Sequence, residues 1–207
     1  MNTLKLKEAE RRFLIKYPGA FNHPELQIIA KKHKMDKMIE TAQSAFGKSR
    51  FSDPQAIADS SVKIVGQSSM VSVFEKPKFR DYVKSFSSED RKKLADAIKL
   101  LLHGDQERGF TALVALLSKG KIAKWPVITA LMIYFRPQDE VFIKPTTVKH
   151  VIAFFELTGV EYKPAPSYAF YKAYREQLMA MKAMLSPDLA PNNGALSGFL
   201  MMSMPAD

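Results

Sequence analysis

The stretch KWPVITALMIYFRPQDEVFIKPTTVKHVIAFFELTG, residues 124–159, decides the fold of this chain. Two apolar runs of helical character flank a polar loop, which predicts two helices packed as a hairpin in the core. The loop carries two cations and two hydroxyls, those of Arg136, Lys144, Thr146 and Thr147. Two interpretations stay open at this point. The loop binds an anion, or it is an ordinary connection around a buried hairpin.

The rest of the chain also follows a helical period. One helix is predicted to begin at Pro24, since proline suits a first helical position, and to stop at Gly47. The clearest helix follows a Ser87 or Ser88 cap and ends at Gly104. No run of strands and no fixed repeat is visible. The sequence therefore predicts an all-α fold, a compact multi-helix bundle of about eight or nine helices.

The length of 207 residues suits one domain or two small ones. We expect residues 1–185 to form a single all-helical domain, with a subdivision near residue 86 as the alternative. Residues 186–207 are rich in Pro, Gly, Asn and Met and have no sustained period. They are predicted to form a flexible tail, in which the segment GFLMMSM docks on a hydrophobic surface.

Composition narrows the classes of function. The net charge is +10, and residues 1–100 hold 20 Lys and Arg against 12 Asp and Glu, which favours a polyanionic partner. No cysteine is present, so thiol catalysis, disulfides and cysteine-based zinc sites are excluded. The apolar runs are shorter than the roughly 20 residues of a membrane span. We expect a cytoplasmic protein that does not enter a membrane.

Basic clusters are the most informative candidate site. Lysines recur closely within AKKHKMDKM, and three cations follow each other in the first turns of the helix after Ser87. Thr146 or Thr147 is predicted to cap the helix that follows Pro145, and the free backbone N–H groups there, with Lys144 beside them, would suit an anion. The predicted nucleic-acid contacts are Lys31, Lys32, Lys34, Lys37, Arg91, Lys92, Lys93, Lys144 and Thr146. A solvated face is the alternative interpretation of each cluster.

Motifs of catalysis are missing. The segment FGKSR resembles the end of a phosphate-binding loop, but Ala42 occupies the position of the required first glycine. No two histidines are four residues apart on a helix, so no histidine pair for a metal is predicted. We predict no catalytic residue, no metal ligand and no cofactor, and an enzyme is the least supported class.

The segment of about residues 118–160 resembles the core of the helix-hairpin-helix DNA glycosylase superfamily. GKIAKWPVITALMIYF is similar to the hairpin, which ends in a Thr-Ala pair, here Thr129 and Ala130. VFIKPTTVKHVIAFFELTGV is similar to the loop and helix that carry the catalytic aspartate. Pro145 stands at the aspartate position, Ile128 stands where lyase members have lysine, and the hairpin glycines are absent. The resemblance implies an all-helical fold and DNA contact without base excision.

Two functional hypotheses follow. In the first, the protein binds nucleic acid or another polyanion through its basic N-terminal half, without catalysis. In the second, it is a helical interaction or scaffold protein that binds another protein or its own copy. Its adaptable apolar surface would then come from methionines of the last helix and the tail. These are Met179, Met181, Met184, Met201, Met202 and Met204.

Overall fold

A computed structural model of the protein describes residues 1–205, and these residues form helices without any β-strand. The predicted all-α class is therefore confirmed. The α-helices are α1 (Thr3–Lys16), α2 (Pro24–His33), α3 (Met35–Ala45), α4 (Pro54–Gln67), α5 (Glu75–Lys84), α6 (Ser88–His103), α7 (Gln106–Lys119), α8 (Trp125–Phe135), α9 (Pro145–Phe154), α10 (Tyr168–Met184) and α11 (Asn193–Ser203). Short 3-10 turns lie at Ala20–Asn22, Lys48–Ser52 and Pro187–Leu189.

Helix α8 lies at the centre of the bundle. Every residue from Trp125 to Tyr134 is buried, so this helix has no face toward solvent. α3, α4 and α6 pack directly against it. The polar atoms at its two ends have partners: the Trp125 indole donates to the Lys163 carbonyl at 2.9 Å, and the Tyr134 hydroxyl bonds the Ser68 hydroxyl at 2.9 Å.

The loop after α8 is fixed to the helix by a buried threonine. The Thr129 hydroxyl donates to the Trp125 carbonyl at 2.7 Å and accepts the Ile143 N–H at 3.1 Å. Val141, Phe142 and Ile143 are all buried beside it. Residues 125–154 thus form the buried helix α8, a loop that is buried at residues 141–143, and a second helix, α9.

The backbones of α6 and α7 approach each other closely at Gly109. A Cβ atom added to Gly109 would lie 2.2 Å from the Leu101 nitrogen and 2.7 Å from the Leu100 carbonyl carbon. No real side chain fits at those distances, so glycine is required for the two backbones to approach. This contact positions α7 against α6, and α6 in turn contacts α8.

The number of helices exceeds the prediction, partly because the helix expected over residues 24–47 is two helices. Lys34 has a left-handed backbone, with φ 48° and ψ 39°, and separates α2 from α3. In one straight helix Leu26 and Met38 would point about 120° apart, because twelve residues do not make whole turns. The break lets both side chains reach the core.

The other additional helix is α11, so the expectation of an unstructured tail is wrong for residues 193–203. Asn192 caps the helix by accepting the Ala195 N–H at 2.9 Å, and Phe199 packs edge-on against Phe13 of α1 at 5.2 Å. Buried residues from Leu6 to Leu200 belong to one hydrophobic cluster. The last two residues of the predicted tail, 206 and 207, lie outside the described residues.

Replacing Gly109 by alanine should destabilise the fold, since the added methyl group collides with the backbone of α6. We expect Gly109→Ala to lower the free energy of unfolding by about 2–3 kcal/mol, the usual cost of forcing atoms into a packed interior. Gly66 of α4 is the matched control, because a Cβ there meets nothing within 4 Å. Gly66→Ala should raise stability by about 0.5–1 kcal/mol. Chemical denaturation of both variants measures the difference, and equal effects would show that the α6–α7 contact is not tight.

Candidate functional site

The junction of α2 and α3 collects four of the predicted lysines. Residues 31–37 contain four lysines and one aspartate, a net charge of +3 over two helical turns. All four lysines are exposed, and no carboxylate of residues 1–205 lies within 4.0 Å of their ammonium groups. The charge of this junction is therefore available to an external anion. We call Lys31, Lys32, Lys34 and Lys37 the junction lysines.

Lys34 occupies a backbone conformation that glycine or asparagine adopts at lower cost. Its φ of 48° lies in the left-handed region, which costs an ordinary residue about 1–2 kcal/mol. A position of this kind at a helix end is usually a glycine. Ala20, Lys121 and Glu156 also have a positive φ, so this conformation places Lys34 at the break between the helices without assigning a role to its side chain.

Helix α2 is held to the protein mainly through its ends. Of its ten residues, Leu26 is the buried one. Near the start, the Gln27 side-chain amide donates to the Phe21 carbonyl at 2.6 Å. At the other end, the His33 ring bonds the Ser69 hydroxyl at 2.8 Å. The middle of α2 is consequently presented to solvent together with the junction lysines.

Two of the three cations in the second predicted cluster are already paired within their own helix. In α6, the Lys92 ammonium lies 2.6 Å from the Asp96 carboxylate, and the Lys93 ammonium lies 2.6 Å from Glu89. Hydrogen bonding to Glu89 and its charge raise the pKa of Lys93. Arg91 is partly buried. These three cations lie on α6, apart from the junction lysines in sequence, and less of their charge is available to an external anion.

The third predicted set lies at the start of α9, where the cap differs from the expectation. A Thr146 cap would start the helix at residue 147, but α9 begins two residues earlier, at Pro145. Lys144 is the capping residue and makes no side-chain cap hydrogen bond, while Thr146 is exposed in the first turn. Proline suits this first position because it has no N–H to satisfy. The prediction of a threonine cap is wrong.

A polar cluster inside the protein was not predicted. Glu140, from the loop after α8, is 2% exposed in its side chain and pairs with Arg175 of α10 at 3.1 Å. It also accepts the Tyr171 hydroxyl at 2.6 Å and the Gln106 amide at 2.6 Å. Burial, and then the nearby Glu140 carboxylate, raise the pKa of Tyr171 well above its ordinary value. Both oxygens of Glu140 are thus hydrogen-bonded.

Asn193 of α11 completes this cluster from the C-terminal side. Its side-chain amide donates to the carbonyls of Gln138 at 3.0 Å and Glu140 at 2.9 Å, and its backbone N–H donates to the Pro137 carbonyl at 2.8 Å. The Lys182 ammonium donates to the Asn193 side-chain oxygen at 2.9 Å. The loop that carries Glu140 is therefore clamped between α10 and α11.

A cavity of about 410 Å³ opens beside the polar cluster. It is lined by Gln106, Arg136, Asp139, Glu140, Arg175 and Met179. Two arginines face two carboxylates there, so the lining has no excess of either charge. Since both oxygens of Glu140 are hydrogen-bonded within the protein, this carboxylate ties the loop to α7 and α10.

Metal binding finds no support in the part of the chain that is described. No three histidine, aspartate or glutamate side chains of residues 1–205 come together to hold a metal ion. His103 is used inside the core instead. Its ring bonds the Phe46 carbonyl at 2.7 Å and packs edge-on against Phe51 and Phe135.

No family model, no curated protein and no solved structure matches the chain. Within residues 1–205, no helix has both the length and the apolar composition needed to cross a bilayer. Fold and surface together define an all-α protein that has a group of exposed, unpaired lysines at the α2–α3 junction.

Removing Arg175 should leave Glu140 charged and buried without its cation. We expect Arg175→Met to lower the free energy of unfolding by about 3 kcal/mol, a usual cost of a broken buried ion pair. Adding Glu140→Gln should recover most of that loss, because the buried charge is then gone. Urea denaturation of the two single variants and the double variant measures the coupling. Arg108→Met, on the exposed face of α7, is the control, and a loss as large there would contradict the assignment.

Replacing Lys34 by glycine should stabilise the protein. Glycine relieves the strain of the left-handed conformation, and this outweighs its greater freedom in the unfolded chain. We therefore expect the free energy of unfolding to rise by about 0.5–1 kcal/mol. Lys37→Gly removes the same charge from inside α3 and should cost about 1 kcal/mol. Thermal unfolding of both variants gives the comparison. A loss of stability in Lys34→Gly would show that the break between α2 and α3 is not strained.

Proposed function

We propose that this protein binds nucleic acid through the junction lysines and does not catalyse a reaction on it. The observation that carries the proposal is that these four lysines are exposed with no carboxylate of residues 1–205 within 4.0 Å, whereas Lys92 and Lys93 are paired within α6. Lysine ammonium groups contact phosphate oxygens and position a protein on a nucleic-acid backbone without reading sequence. Binding of this kind is weak and sequence-independent.

The junction lysines are close together along the chain. Four lysines lie within residues 31–37, two in the last turn of α2, one at the break and one in α3. The last turn of α2 also favours cations, because its carbonyl groups carry partial negative charge. Lys31 and Lys32 therefore lie where the helix dipole favours positive charge, whereas Lys34 carries the cost of its left-handed backbone.

The resemblance to the helix-hairpin-helix glycosylase core adds a second, separate reason to consider DNA. It rests on about residues 118–160, far along the chain from the junction lysines. Pro145 in the aspartate position supports binding without base excision. Lys144 and Thr146 are exposed at the start of α9 and would be further backbone contacts. We also propose a cytoplasmic location, on the basis of the cysteine-free composition.

The alternative function, binding to another protein, was expected to use six methionines as an apolar surface, and part of that surface is buried. Met181 is fully buried, and Met179, Met184, Met202 and Met204 pack against the core. Met201 is the methionine of this set that is exposed. Four of the six methionines therefore offer only part of their side chains to a partner.

Binding to a nucleic acid should fall steeply with salt, because each neutralised phosphate releases counterions. With four contacts, the logarithm of the association constant for duplex DNA should fall with the logarithm of salt concentration with a slope of about −3.6. Replacing Lys31 and Lys34 by glutamine should bring that slope to about −1.8. Fluorescence anisotropy of a labelled random-sequence duplex, titrated between about 50 mM and about 200 mM salt, measures both values.

Lys92→Gln with Lys93→Gln is the matched control for this experiment. The pair removes the same net charge, but from lysines that are already paired with Asp96 and Glu89. Its slope should remain that of the unmodified protein. Equal losses in the two double variants would mean that total charge and not the junction governs binding. Absence of any binding at low salt would reject the proposed function.

A further inference from the structure

The exposed middle of α2 combines apolar and cationic side chains on the same surface. Ile28 is 59% exposed and Ile29 is 43% exposed, which is unusual for two adjacent large aliphatic residues. Lys31 and Lys32 lie three and four residues after Ile28, so they are its neighbours on the helix face. By helical geometry Lys32 lies between the directions of Ile28 and Ile29. The isoleucines and lysines are interleaved, with no separate apolar side.

An exposed aromatic residue lies close along the chain to the same surface. The Ser69 hydroxyl bonds the His33 ring at 2.8 Å, so the segment between α4 and α5 begins beside the end of α2. Phe74, at the end of that segment, is 76% exposed. Phe74 is five positions after Ser69, and five residue steps span at most about 18 Å. Phe74 therefore lies within about 18 Å of the residue that bonds the end of α2.

These features distinguish between forms of nucleic acid. A duplex presents phosphates outside and keeps the faces of its bases stacked inside, so exposed apolar side chains gain little from it. A single strand presents both phosphates and unpaired base faces, and aromatic side chains beside a positively charged surface are the usual means of binding it. The duplex explains the junction lysines but gives no role to Ile28, Ile29 or Phe74.

We propose that the ligand of this surface is single-stranded nucleic acid, with its phosphates on the junction lysines, bases against Ile28 and Ile29, and one base stacked on Phe74. This inference rests on the proposed function, because the same lysines supply the charge. It makes the binding tolerant of sequence, since every base has a face on which an aromatic ring can stack.

An anionic membrane surface is the competing partner, and the structure disfavours it. A helix that lies in a bilayer interface separates a continuous apolar side from a charged side. α2 has ten residues, and its exposed isoleucines alternate in direction with lysines of the same face. A single strand accommodates that alternation, because its phosphates and bases also alternate.

The test compares oligonucleotides by anisotropy, using a single strand longer than the roughly 16 nucleotides of an extended site and a duplex of the same length. The unmodified protein should bind the single strand at least about five-fold more tightly. Phe74→Ala should lower single-strand affinity by about five-fold or more, with duplex affinity and the salt slope unchanged. Ile28→Ser should act in the same direction. Leu4→Ala, which shortens an exposed apolar side chain of α1, is the matched control and should change neither the single-strand affinity nor the duplex affinity.

A second readout reports stacking directly. Phe74→Trp should retain single-strand binding, and its fluorescence should be quenched on addition of the oligonucleotide. The unmodified protein supplies the background, since its Trp125 is buried in the core. Circular dichroism of each variant confirms that the helices are retained, which is expected because all three substituted residues are exposed.

The outcomes separate the two proposals. Equal affinity for the single strand and the duplex, or no effect of Phe74→Ala, overturns the single-strand assignment and leaves the proposed function standing. Absence of binding to both oligonucleotides rejects the proposed function, and the single-strand assignment with it. Binding to phosphatidylglycerol vesicles without binding to either oligonucleotide also rejects both, and identifies the surface as a membrane contact.

Discussion

The fold depends on the complete burial of one helix, α8. α8 is apolar in almost every residue and is buried from Trp125 to Tyr134, so it gains stability only when it is covered from all directions. Burying a large apolar side chain contributes about 1.5–3 kcal/mol, and α8 has several. α3, α4 and α6 cover it directly, and the buried loop segment of residues 141–143 is tied to it through Thr129. Few of its polar atoms need partners, and the Trp125, Thr129 and Tyr134 side chains each have one within the chain.

Much of the fold could be predicted because its signals are local. The Ser87 cap accepts the Asp90 N–H at 3.1 Å, and Pro24 begins α2, as their residue types indicate. The break at Lys34 could not be predicted, since neither glycine nor proline marks it and its cause is the direction in which Met38 must point. α11 was missed for a similar reason. Its anchor, Asn193, bonds carbonyls more than fifty residues earlier in the chain, and such contacts leave no periodic pattern.

In the candidate site, too, the features with local sequence signals could be predicted and the others could not. The junction lysines are contiguous in sequence, so their clustering was visible, and the ion pairs of Lys92 and Lys93 could have been foreseen from acids four residues away. Pro145 was also a visible signal for the start of α9. The Glu140 cluster had no such signal, because it assembles from α7, a loop and α10. The exposure of Ile28 and Phe74 likewise has no local signal, because it depends on how the other helices pack.

Packing of α11 on α1 also bears on how the molecule is made. Synthesis on the ribosome delivers the N-terminal helices first. Until residues 193–203 emerge, Phe13 has no Phe199 against it and the backbone carbonyls of Gln138 and Glu140 have no amide from Asn193. The nascent chain must therefore keep this part of its hydrophobic interior open until α11 has left the exit tunnel.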